Sequence, residues 1–148
     1  MHIKKLKMNS KLNINLTSFP FNHEIKTRWR DLDAFRHVNN ATFLSYIEDA
    51  RIIFFKRWGI NLKEKSLIVA AVKIDYIRQL EHPSNLIVGQ KISRLGNKSF
   101  DIQSAIFNSD NNSNPYCIST ITSVCYNFIN NKTVNIYEEI KKDYNVDG

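Results

Sequence analysis

A chain of 148 residues is one domain of ordinary size. Its 43% hydrophobic content rules out disorder throughout, and no apolar run approaches the ~20 residues of a membrane-spanning helix. Of the net charge of +7, four units come from Lys4, Lys5, Lys7 and Lys11; the rest sets 17 basic against 14 acidic residues, too mild for a nucleic-acid binder.

The basic start lacks the apolar block of a signal peptide, so the expected address is cytoplasmic. Cys117 and Cys125, eight apart in one expected strand, are too far apart to bridge. The four histidines lack ligand spacing, and no metal site or cofactor is expected.

In chain order, residues 1–20 read as a loose basic leader, and residues 21–148 as a single domain. Residues 23–30 alternate, with Ile25, Thr27 and Trp29 on one face, which predicts a half-buried strand. By parity Asp31 and Asp33 continue that inward face, where a carboxylate is costly unless paired or used. After a loop, Phe43, Ile47, Ala50, Phe54 and Trp58 form one apolar stripe of a long helix. Asn39 or Asn40 can cap its start, and Gly59 stops it. Strands are expected over 67–80, 86–94, 100–107 and 116–129, then a short helix over 138–143. Consecutive strands on short turns pair antiparallel, so the predicted fold is α+β: one antiparallel sheet curled around a central helix.

Asp33 stands seven residues before the expected helix start at Asn40. The first amides of a helix are unpaired and carry a partial positive charge. A carboxylate facing them could serve acyl transfer, the amides holding a carbonyl oxygen and the carboxylate attacking or activating water. The same residues also fit a plainer role, with Asp33 capping the loop or the helix.

The stretch Trp29-Arg30-Asp31-Leu32-Asp33-Ala34-Phe35-Arg36-His37-Val38-Asn39-Asn40, continued by Phe43, Tyr46, Glu48 and Ala50-Arg51, resembles the signature of hotdog-fold thioesterases of the 4-hydroxybenzoyl-CoA thioesterase type. It is also similar to long-chain acyl-CoA and plant acyl-ACP thioesterases. Ile74-Asp75-Tyr76 and Lys98-Ser99-Phe100 resemble weaker landmarks of the family. The resemblance implies a hotdog fold and hydrolysis of an acyl-CoA thioester, in a homodimer or tetramer whose sites lie between subunits. Catalytic roles then fall on Asp33, on the backbone amide of Asn40 and on His37, and Arg36 and Ser99 become substrate-binding candidates. Asp31 is expected to be structural, and Glu48 and Arg51 to form an i,i+3 pair. Two positions depart from the relatives. Phe35 replaces the asparagine of the plant enzymes, and Arg36 replaces a glycine common in bacterial ones. Acyl-ACP hydrolysis and non-catalytic acyl-CoA binding are the alternatives.

Overall fold

The computed structural model describes residues 14–146. Lys4, Lys5, Lys7 and Lys11 lie outside the described residues. In chain order the elements are β1 (Phe21–Lys26), α1 (Asn40–Lys56), β2 (Ser66–Tyr76), β3 (Asn85–Leu95), β4 (Ser99–Asn108), β5 (Cys117–Asn127), β6 (Lys132–Thr133) and α2 (Glu138–Val146). The sheet runs β1-β3-β4-β5-β2, with β6 added to β5, and every pairing is antiparallel.

The apolar stripe of α1 is the core. Phe43, Ile47, Ala50, Phe54 and Trp58 are all buried. They pack on alternate residues of the strands: Leu86, Val88 and Ile92 of β3, Phe100, Ile102 and Ile106 of β4, Cys117, Ile121 and Cys125 of β5. The sheet therefore wraps one helix, as the alternation predicted. The helix proper stops at Lys56, two residues short of Trp58, and Gly59 follows at φ +64, where a glycine costs least. Both cysteines are buried and free.

Two expectations are corrected. Consecutive β2 and β3 do not pair; β2 lies beside β5 at one edge of the sheet and β3 beside β1 at the other. The connection is held on the way: Ile77 N–H donates to the Tyr116 carbonyl (2.9 Å), and the buried Leu80 offers its carbonyl to Val38 N–H (2.8 Å). The chain thus passes the start of α1 before reaching β3, and a short hairpin is impossible. The end of the expected leader is also not loose. Leu16 and Phe19 are buried against Ala105 and Phe107 on the sheet face opposite α1. A Cβ on Gly89 would lie 2.8 Å from the Phe19 ring, so glycine there is what lets the aromatic lie flat on the strand.

Candidate active site

The expected strand over 23–30 stops at Lys26, and of the two carboxylates expected inward only Asp31 is buried. Thr27 closes the ladder: its N–H still donates to the Ser84 carbonyl (3.1 Å), but its hydroxyl takes the Ser84 N–H (2.9 Å) and lies 2.8 Å from His82 Nδ1. Residues Trp29–Asp31 then form one 3₁₀ turn. The turn breaks the alternation at one position: Trp29, expected inward, is 77% exposed, while Asp31 lies inward as expected, only 4% exposed. Asp31 is thus the inward acid, and Asp33 is half-buried in the following loop.

Asp31 is fully engaged. Its Oδ2 accepts the Tyr46 hydroxyl (2.5 Å) and the Arg28 N–H (2.9 Å), and Oδ1 accepts from the Arg28 guanidinium (3.2 Å). Burial alone would push its carboxyl up; Tyr46 and Arg28 outweigh that and hold it below the ordinary aspartate value. Its carbonyl also takes the Asn39 N–H (2.8 Å). The structural role expected of Asp31 is therefore visible in detail: it pins the loop to the first turns of α1.

Asp33 opens a tight hairpin. Leu32 and Val38 form an antiparallel bridge, Asp33 N–H donates to the His37 carbonyl (2.8 Å), and Arg36 N–H returns to the Asp33 carbonyl (3.1 Å). The Asp33 side chain takes part: Oδ1 accepts the N–H groups of Phe35 (2.8 Å) and His37 (3.2 Å). Its Oδ2 has no partner among the described residues. Arg36 closes the turn at φ +65, the left-handed conformation that glycine adopts freely. The guanidinium is left exposed beside an exposed Phe35.

Three residues after His37, α1 begins. Asn39, not Asn40, is the cap; its Oδ1 accepts the Ala41 N–H (2.9 Å), and its carbonyl accepts that of Thr42 (2.9 Å). The Asn40 N–H has no acceptor among the described residues, while its carbonyl receives the Tyr76 hydroxyl (2.7 Å).

The fold therefore brings Asp33, Arg36, His37 and the Asn40 amide into one hairpin and helix start. The His37 ring makes no hydrogen bond among the described residues; its backbone closes the loop. Ser99 is elsewhere. It begins β4 at the Trp58 end of α1, seven residues from the Ile106–Cys117 pair beside Tyr76, or ~23 Å along the strand. Its hydroxyl accepts from Arg94, which also grips Asp101. The expected Glu48–Arg51 pair makes no salt-bridge contact; burial lowers the Arg51 value, and the Glu48 charge opposes that only through space. Arg51 lies over the Phe55 ring at 5.7 Å, and its Nε is buried without a partner. Sequence reasoning gave no role to Tyr76; its place in Ile74-Asp75-Tyr76 was the available signal.

Clefts of about 330 and 450 Å³ near Lys26, Asn85 and Ser109 do not border Asp33 or Asn40. No group of three or more His, Cys, Asp or Glu among the described residues is placed to hold a metal ion. No helix among them is long and apolar enough to cross a membrane.

With this geometry the chain matches, over residues 27–143, the family model described as thioesterase-like superfamily, and it belongs to that family. Its sheet around one helix is the hotdog fold. A thioesterase from Thermus thermophilus, solved with coenzyme A and zinc, superposes with a TM-score of 0.74 at 27% identity, covering 88% of this chain and 95% of that one. The long-chain acyl-CoA thioesterase FadM of Escherichia coli (strain K12) is 25% identical over 124 residues, 80% of this chain and 92% of FadM. The uncharacterized protein YsmA of Bacillus subtilis (strain 168) is 33% identical over 88 residues, 58% of this chain; the match spans 60% of YsmA's length.

Proposed function

We propose that the protein hydrolyses an acyl-CoA thioester to a free acid and CoA, with Asp33 as the reacting carboxylate and the Asn40 N–H as oxyanion donor. The observation that carries this is a pair of unspent groups, a carboxylate oxygen and a helix-start amide, in a loop pinned by several backbone hydrogen bonds. Asp33 anchors its turn through Oδ1 alone. At the other end of the hairpin, the Asn40 N–H opens the helix without an acceptor.

In one route Asp33 Oδ2 takes a proton from water as the water oxygen attacks the thioester carbon. The C–S bond breaks and the proton passes to the departing CoA sulfur. In the other, Oδ2 attacks the carbon itself, CoA leaves as the thiolate, and water cleaves the resulting anhydride. Both build negative charge on the former carbonyl oxygen, where a preorganised N–H is worth most. In this reading His37, whose backbone N–H already holds Asp33 Oδ1, relays that proton through its ring. Arg36 offers its exposed guanidinium to a CoA phosphate.

Assembly belongs to the same reading. β2 is an edge strand, and Val69, Val72 and Tyr76, on its helix-facing side, are 42%, 48% and 39% exposed. An eleven-residue apolar edge invites a second copy. Antiparallel pairing of two β2 strands would set the Ser99 end of one subunit beside the Asp33 end of the other, so Ser99 would serve its partner's site in a homodimer or a tetramer.

FadM supports the acyl-CoA class, as does coenzyme A in the Thermus thermophilus thioesterase. The test is thiol release from short, long and aromatic acyl-CoAs and from an acyl-ACP. Turnover of at least one acyl-CoA is expected. Turnover of acyl-ACP alone would move the substrate class, and tight acyl-CoA binding without turnover would make the protein a binder.

A further inference from the structure

The Asn40 carbonyl has two donors. One is the N–H of Leu44, the α-helical partner four residues on. The other is the Tyr76 hydroxyl. Tyr76 comes from the edge strand β2, where it pairs with Cys117 of β5, and its ring meets Phe43 edge-on at 5.3 Å and 89°. A helical carbonyl that already holds its i+4 partner needs no second donor, and in the single chain a hydroxyl on a residue 39% exposed could give its proton to water instead. Neither group requires the other for its own satisfaction. The effect of the bond is to lock the first turn of α1 to the sheet.

The remaining ties on that turn come from the loop side: Asn39 N–H to the Asp31 carbonyl, and Ala41 and Thr42 to Asn39. Among the described residues, Tyr76 supplies the hydrogen bond that holds the turn from β2. Burial, followed by the neighbouring Cys117, pushes its phenol above the ordinary tyrosine value, so the proton stays in place at neutral pH. The N–H and C=O of Asn40 flank one Cα, and tilting the turn moves both. An oxyanion donor works only within a few tenths of an ångström of its target.

We infer that Tyr76 is a positioning residue for thioester hydrolysis, aiming the Asn40 N–H at the oxyanion by holding the Asn40 carbonyl. The inference rests on the reading above, in which that N–H receives the thioester oxygen.

Tyr76→Phe keeps the ring on Phe43 and removes only the hydroxyl. Amide hydrogen exchange at Ala41 and Leu44 should quicken about threefold or more, with Phe54 in the last turns unchanged. On the best acyl-CoA of the panel, kcat should fall roughly tenfold with KM within twofold, the effect of one lost hydrogen bond felt in the transition state. The shape of the pH–rate profile should not change, since no titrating group of the reaction is touched. Unchanged exchange at Ala41 and Leu44, a uniform rise along α1, or an unaltered kcat would each overturn the role of Tyr76 and leave the thioesterase reading standing. A wild-type chain that hydrolyses no thioester overturns that reading, and the positioning role of Tyr76 with it.

Discussion

The Tyr46 hydroxyl, in the second turn of α1, donates a 2.5 Å hydrogen bond to a buried Asp31 oxygen, tying the central helix to the loop that carries Asp33. Tyr46→Phe leaves that carboxylate short of a donor and should cost about 1.5–3 kcal/mol, the range for bonds to charged groups. The folded state holds Asp31 below its ordinary value, so the unfolded chain takes up the proton first as pH falls. The stabilisation is complete above about pH 4 and is lost as pH drops through the lower folded value. Denaturant melts from pH 6 to 2 should show wild-type stability falling more steeply than that of Tyr46→Phe. Parallel curves would mean that the pair contributes nothing to acid sensitivity.

Asp33 has a structural oxygen and an unbonded one. Asp33→Asn retains an Oδ1 acceptor for the Phe35 and His37 amides, so the hairpin should persist and Tm should move by no more than a few degrees. Turnover should fall by about 10²–10⁴. Near-wild-type kcat in Asp33→Asn, beside an inactive but folded Asp31→Asn, would transfer the chemistry to Asp31.

Arg36 sits at φ +65, where an L-residue is strained by about 1–2 kcal/mol relative to glycine. Arg36→Gly should therefore raise stability or leave it nearly even, once the greater freedom of glycine in the unfolded chain is set against the relief. If the guanidinium meets a CoA phosphate, KM for acyl-CoA should rise severalfold while hydrolysis of a short acyl-pantetheine thioester is untouched. An equal change on both substrates would exclude the phosphate contact.

Phe19 lies on Gly89, and a Cβ there would be 2.8 Å from its ring. Gly89→Ala should cost about 1–3 kcal/mol by overpacking. In a Phe19→Ala background the same change should be nearly neutral, giving a large coupling in a double-mutant cycle. Additive effects would show that the segment before β1 does not pack on the sheet in solution.

The exposed β2 edge predicts association. Light scattering at micromolar concentration should report at least twice the 17.3 kDa chain mass. Val72→Glu, a charge in the middle of the exposed apolar side, should shift the population toward monomer without loss of far-UV circular dichroism. A wild-type monomer would leave Ser99 without a route to Asp33.

From the chain alone came every element with a strong period. The stripe from Phe43 to Trp58 could only be a buried helix, and the alternating runs could only be strands, because burial repeats at 3.6 or at 2 residues along the backbone. The Asp33–Asn40 neighbourhood was equally legible, being local in sequence. Tertiary structure decided what no local period encodes. It set β2 beside β5 rather than β3, since strand order depends on where the connection through Leu80 is anchored. It ended the first strand at Lys26, because Ser84 and His82, distant in sequence, capture Thr27; the 3₁₀ turn that follows sent Trp29 outward, while Asp31 kept the inward place that its parity predicted. It also carried Tyr76 to the start of the helix and Ser99 to the far end of the sheet. Such contacts join residues tens of positions apart, and they become definite only when the sheet closes around α1.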